Sequence, residues 1–123
     1  MIVSAPKDVA GTVMNSRRTP GQESYTASPL IDITNVRKSF AVGDQPILAL
    51  ADVSMRVDSG EFIAVIGRSG SGKSTLMSVL GLLEKPDTGR YLLGGRDVQV
   101  IDEDSRAGIR SREIGFIFQF PAL

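Results

Sequence analysis

The residues best equipped for chemistry are nine in a row, "GRSGSGKST", Gly67 to Thr75, set between the apolar stretches "EFIAVI" and "LMSVLGLL". They match G-x-x-x-x-G-K-[ST] with Gly67, Gly72, Lys73 and Ser74, in the strand, loop, helix context that gives the pattern its meaning. Gly70 and Gly72 can take backbone angles closed to other residues, so successive N–H groups can wrap a phosphate. A helix beginning at the end of the loop aims its unpaired N–H groups and positive dipole end at the same anion. Lys73 adds a full charge for the β- and γ-phosphates, the Ser74 hydroxyl suits Mg²⁺, and Thr75 offers a further hydroxyl to the α-phosphate. Gly67, Arg68, Ser69, Gly70, Ser71, Gly72, Lys73, Ser74 and Thr75 therefore form the expected triphosphate cradle. Holding a triphosphate is not yet hydrolysing one.

The loop needs elements to place it. Phe62 to Ile66 is apolar without a polar break, as in a parallel strand covered on both faces, and is expected at the centre of a sheet. Leu76, Met77, Val79, Leu80, Leu82 and Leu83 fall at helical spacing, which predicts a helix over 73–85, ended by Pro86-Asp87-Thr88-Gly89. Upstream, Leu30 to Phe40 reads as a strand, and a loop around Gly43 to Pro46 follows. Val53, Met55 and Val57 then alternate with Ser54, Arg56 and Asp58, the period of a half-buried strand. These two early strands predict a small antiparallel layer. "RYLLGG" reads as a short strand with a glycine turn, "DEDSRAGIRSR" as a polar helix opened by acids, and "IGFIFQ", Ile114 to Gln119, as a further buried strand.

Composition bounds the rest. A chain of 123 residues with 41% hydrophobic and 23% charged residues has room for one modest core. Fourteen basic and fourteen acidic residues cancel, so no general pull toward nucleic acid or anionic lipid is expected. There is no cysteine and no histidine, which removes disulfides, thiolate metal sites, a cysteine nucleophile and the commonest general base. No apolar run approaches the roughly 18 residues of a membrane-spanning helix. Residues 1–29, rich in Ser, Thr, Pro and Gly without a sustained period, read as a flexible leader ahead of a folded unit over 30–123.

From about Leu30 to Leu123, "VRKSF", "ALADVSMRVDSGEFIAVIGRSGSGKSTLMSVLGLLEKPDTGRYLLGGRDV" and "IRSREIGFIFQFPAL" together resemble the ATP-binding subunits of ABC transporters. In texture they are most similar to the group of lipoprotein-releasing and macrolide-exporter ATPases. The resemblance implies an α/β P-loop fold of the ABC ATPase type with an antiparallel β layer, incomplete at its C-terminus. It implies that Phe40, in place of the more usual tyrosine, stacks on adenine, and that Gln119 touches Mg²⁺ and the attacking water while its loop meets the membrane subunit. Ser74 and Gln119 are then the metal-contacting residues, and ATP and Mg²⁺ the cofactors. The implied partners are a transmembrane permease and a second nucleotide-binding subunit, with the protein in the cytoplasm, peripheral to the inner face of the plasma membrane, and with no nucleic acid.

The family also needs an LSGGQ signature, a Walker B Asp with a catalytic Glu, and a switch histidine, all expected beyond Gln119, where only Phe120, Pro121, Ala122 and Leu123 follow. "LLGGR", Leu92 to Arg96, mimics the signature but precedes the glutamine and suits a turn. "VQVIDED" mimics a Walker B strand, with Asp102 and Glu103 in the acidic places, yet Gln99 interrupts its apolar run. Solvated acids at a helix start are the simpler reading, and a self-sufficient small NTPase or kinase using Asp102 and Glu103 is the alternative. A soluble, non-transport relative and an interrupted reading frame are others. On its own the chain is expected to bind nucleotide without efficient turnover. Strands of a larger sheet left without neighbours expose apolar edges. The isolated chain should therefore aggregate on warming, measured by light scattering, and a monodisperse chain that melts in one sharp, reversible transition would contradict this.

Overall fold

The computed structural model describes residues 3–4, 12–15, 28–68 and 70–117. Its largest feature is a hairpin of two long strands, β3 (Ile31–Val42) and β4 (Gln45–Val57), joined by a tight turn at Gly43 and Asp44. Along β4 the alternation expected from sequence is present: Met55 and Val57 are buried and Val53 half-buried, while Ser54 and Arg56 face solvent. β6 (Thr88–Leu93) pairs antiparallel with the other side of β3, and β7 (Arg96–Asp97) with β6. The antiparallel layer thus has four strands, in the order β4-β3-β6-β7.

Two helices cover the inner face of this layer. α1 (Lys73–Leu80) carries the glycine loop at its start, and α2 (Glu103–Glu113) follows β7. Ile33, Val36, Leu50, Met55 and Tyr91 from the strands meet Leu76, Val79 and Leu82 from α1 and its exit, and Ile109 from α2. Each such side chain removed from water contributes about 1.5–3 kcal/mol, so this cluster is what holds α1 on the sheet. No described helix is long and apolar enough to cross a membrane.

Four expectations change on inspection. The strand that feeds the loop, β5 (Ile63–Ile66), is not flanked by parallel strands among the described residues. It pairs antiparallel with β2 (Thr12–Asn15), which pairs in turn with β1 (Val3–Ser4). The flexible leader assigned to residues 1–29 accordingly supplies two strands. A bare β5 edge offers unpaired N–H and C=O groups, and "TVMN" satisfies them with residues suited to a strand. β5 is also less covered than its composition suggests, with Phe62 and Ile66 exposed. α1, expected to reach Lys85, ends at Leu80 because Gly81 caps it and Leu82 turns left-handed at φ +61°. Ile114 to Ile117 makes no strand pairing among the described residues, and Phe118 and Gln119 of that expected strand lie outside them.

The exit of α1 is tied down from two sides. The Tyr91 hydroxyl donates to the Leu80 carbonyl at 2.7 Å, and burial pushes the phenol up so that it keeps its proton. From α2, Arg110 donates to the Leu82 carbonyl at 2.7 Å and Arg106 to the same oxygen at 3.3 Å. α2 is itself well terminated. Asp102 is its N-cap, accepting from the Ser105 N–H at 2.8 Å and from the Ser105 hydroxyl at 3.0 Å. Glu103 and Asp104 stand in its first turn and Arg110 and Arg112 in its last, matching the helix dipole.

At the start of β6, Gly89 sits at φ +97° against the bulged part of β3, where an added Cβ would lie 2.5 Å from the Asn35 carbonyl oxygen and 2.6 Å from Val36 Cα. Both neighbours are backbone and cannot step aside. Gly89→Ala should therefore cost at least about 2 kcal/mol in denaturant unfolding. Gly115→Ala, with open space around it and an ordinary φ, should leave stability unchanged. The Asp102 cap predicts a pH effect of definite sign. Its hydrogen bonds from Ser105 hold the carboxyl below the usual aspartate range. A group lowered on folding contributes stability that is fully present above its unfolded value, about 3.9, and is lost as pH falls through the lowered folded value. Asp102→Ala should melt earlier than the parent at neutral pH, and the gap should narrow as pH falls below the usual aspartate range in thermal scans.

Candidate functional site

The glycine loop is shaped by its backbone. Gly70 and Gly72 stand at φ +79° and +91°, angles a side chain would resist, and the Ser71 N–H turns back to the Arg68 carbonyl at 3.1 Å. Gly72 is also the N-cap of α1, so the helix has no side-chain cap, and no acid lies in its first turn. Most helices cover their first N–H groups with a Ser, Thr, Asp or Asn side chain. This one leaves its positive end free of any negative side chain.

Lys73 folds its ammonium back across the loop and donates to the Gly67 carbonyl, so its cation stays at the loop. The Ser71 hydroxyl is buried without a hydrogen-bond partner among the described residues, an arrangement that normally costs about 1–3 kcal/mol and that an anion held by the loop would relieve. Ser74, in the first turn of α1, presents its hydroxyl to solvent, where a cation could reach it, and Thr75 beside it is half-buried. Arg68 is exposed. Ser69 lies outside the described residues. The donor set is that of a phosphate cradle: an uncapped helix start, left-handed glycines, one cation and an unpaired hydroxyl.

Phe40 lies on β3 opposite Ile47 and is 37% exposed as a residue. It is thus available for stacking rather than consumed by the core. Gln119, expected to contact metal and water, lies outside the described residues. Of the two look-alikes, Leu92 and Leu93 end β6 and Gly94-Gly95 make the turn to β7, as expected of turn chemistry. Asp102 is engaged as the α2 cap, and Glu103 pairs with Arg106 at 3.4 Å and Arg110 at 3.8 Å. Both acids are committed to α2.

Reasoning from sequence passed over Lys38, Glu84 and Asp87. In the structure the Lys38 ammonium stands over the Phe40 ring, 5.3 Å from its centroid, and pairs with both carboxylates. One signal was available, since residues two apart on a strand share a face and "KSF" sets a cation beside an aromatic. The carboxylates, more than forty positions away, leave no local sign.

Comparison with known proteins gives the family and the fold. The family described as ABC transporter matches residues 50–123. The macrolide export ATP-binding/permease protein MacB of Chlorobaculum tepidum is 50% identical over 90 residues, which is 73% of this chain and 14% of that protein. Its namesake from Bdellovibrio bacteriovorus gives the same identity and the same shares. The chain therefore spans about a seventh of the length of these relatives, 14% in each case. Among solved structures, the dimeric bacterial ABC transporter cassette MJ0796 superposes with a TM-score of 0.66 at 37% identity, covering 72% of this chain and 38% of that one. A second structure of that cassette, bound to ADP and phosphate in a post-hydrolysis state, superposes equally well at 36% identity. With an α/β fold carrying an antiparallel sheet, a glycine cradle at the start of α1 and a family match over more than half its length, the chain belongs to the ABC transporter family.

Proposed function

We propose that this chain is the nucleotide-gripping part of an ABC transporter ATPase, binding ATP with Mg²⁺ through Gly67 to Thr75 and stacking the base on Phe40. The observation that carries the reading is the uncapped start of α1, left-handed at Gly72, with Lys73 turned over the loop and the Ser71 hydroxyl buried without a partner among the described residues. The loop N–H groups and Lys73 neutralise the phosphate oxygens, and the Ser74 hydroxyl is the group placed to take magnesium, with Gln119 as its expected companion. When bound, Mg²⁺ would supply charge neutralisation to the triphosphate. Phe40 contributes an aromatic face that binds a base through dispersion and quadrupole contacts, without a hydroxyl to orient it.

In the complete protein this grip is taken to serve transport. The relatives named ATP-binding/permease protein support a permease as partner, and the dimeric cassette supports a second nucleotide-binding subunit facing the first. The resulting place is the cytoplasmic face of a membrane, reached through the permease. The chain by itself binds without efficient turnover, because the acids that resemble a hydrolytic pair, Asp102 and Glu103, are bound up at the start of α2. A fluorescent ATP analogue titrated into the chain at low protein concentration should show saturable, magnesium-dependent binding. Lys73→Ala should weaken it by about tenfold to a hundredfold, the worth of a hydrogen bond to a charged group. Binding that is indifferent to Lys73, or steady phosphate release well above background, would overturn the proposal.

A further inference from the structure

Lys38 makes more contacts than its charge requires. Its side chain is only 14% exposed, and its ammonium lies 3.3 Å from the Glu84 carboxylate and 3.6 Å from that of Asp87 while standing over the Phe40 ring. One carboxylate would already match its charge. Glu84 and Asp87 both belong to the short connection from α1 to β6. That connection grips β3 twice more. The Asp87 carboxylate accepts from the Ser39 N–H at 2.7 Å, and the Asp87 N–H donates to the Arg37 carbonyl at 2.8 Å. Three successive residues of β3 are thus held by one segment.

The local sequence explains why a latch is needed there. β3 shifts register against β4 between Val36 and Lys38 and again between Lys38 and Ser39. Each shift takes backbone groups out of the ladder and bends the strand locally. Asp87 takes the freed Ser39 N–H, and Lys38 closes the gap between the bulge and the helix exit. On the helix side the anchor is firm, since the Leu83 and Glu84 N–H groups both donate to the Ser78 carbonyl within α1. A continuous path therefore runs from the Phe40 ring through Lys38 and Glu84 to α1, and along α1 to Lys73 in the glycine loop.

We propose that Lys38, seated on Glu84 and Asp87, is a positioning residue for nucleotide binding, which sets the Phe40 ring at a fixed spacing from the phosphate loop. The inference rests on the reading of Phe40 as base platform and Gly67 to Thr75 as phosphate cradle. A nucleoside triphosphate touches both ends at once, so it gains from both only if their spacing is set before it arrives; otherwise ordering the hairpin subtracts from affinity. The ammonium holds the ring by a cation–π contact on one face, leaving the other for a base.

The test compares ATP with inorganic tripolyphosphate, which has the phosphates but no base, by calorimetry on the full chain. Lys38→Met should weaken ATP by about threefold to tenfold, in line with a cation–π contact and the order it maintains, and leave tripolyphosphate unchanged. Lys38→Arg should restore most of the loss. In a Phe40→Ala background, Lys38→Met should have no further effect on ATP, a coupling that a merely structural lysine would not show. Glu84→Gln, which keeps the Asp87 contacts, should move ATP affinity in the same direction and covers a Lys38→Met chain that does not fold. Equal losses for both ligands, or unchanged ATP affinity in Lys38→Met and Glu84→Gln, would overturn the inference. A parent chain that binds neither ligand would instead remove the nucleotide-binding reading, and one that binds ATP no better than tripolyphosphate would remove Phe40 as platform.

Discussion

Everything in this structure depends on the unequal needs of the two ends of α1. An α-helix leaves unpaired N–H groups at its start and unpaired carbonyls at its exit, and each must find a partner or remain exposed at a cost. α1 is only eight residues long, so both ends are close to whatever the helix does. Its start is uncapped and begins at a left-handed glycine, the condition in which backbone N–H groups remain available to an anion. Its exit is buried under β6 and α2, with Leu82 only 1% exposed, and there water cannot serve the carbonyls. The protein has to supply those partners itself. Tyr91, Arg106 and Arg110 do so, and their requirement places β6 and α2 where they are.

Arg106 shows how tightly this constraint is applied. Arg106 is only 4% exposed, an expensive place for a guanidinium, and its Nε has no hydrogen-bond partner among the described residues. Its remaining donors go to the Leu82 and Glu84 carbonyls and to the Glu103 carboxylate. A lysine would bring one point charge, whereas the flat fork of arginine can reach two carbonyls and a carboxylate together. Glu84 is thereby held through its backbone by Arg106 and through its side chain by Lys38. The helix exit becomes the point where α2, the β3 bulge and α1 are joined.

The glycine loop and the alternating strand over 53–57 were readable from sequence because their causes are local. A positive φ calls for glycine within the loop itself, and a half-buried strand writes its period into neighbouring residues. The length of α1 was not readable in that way. Leu82 and Leu83 continue the helical spacing, and the chain turns at Gly81 because Tyr91, Arg106 and Arg110, ten or more positions downstream, receive the carbonyls of the turn. The pairing of Thr12–Asn15 with β5 was hidden for a similar reason. Its cause is an exposed edge fifty residues away, while the surrounding Ser, Thr, Pro and Gly speak for a leader without structure. Lys38 beside Phe40 lay between the two cases: the pair is local, and the carboxylates that fix it are not.

The same asymmetry bears on where stability resides. At the exit of α1, several long-range hydrogen bonds and a buried core overlap, so removing one leaves others in place. At the start, two left-handed glycines, an uncapped helix and a hydroxyl without a partner among the described residues are gathered within three residues, Gly70 to Gly72. Such concentrated local cost is tolerated where surrounding structure enforces it, and segments of this kind sit at the low end of local stability. A ligand that satisfies those groups binds only the folded loop, so it adds to folding stability in proportion to the logarithm of its concentration over Kd. The firmly held exit then has a functional reason as well as a structural one. By keeping α1 on the sheet through contacts that owe nothing to the ligand, it leaves the unmet groups of the loop to be satisfied by the ligand alone.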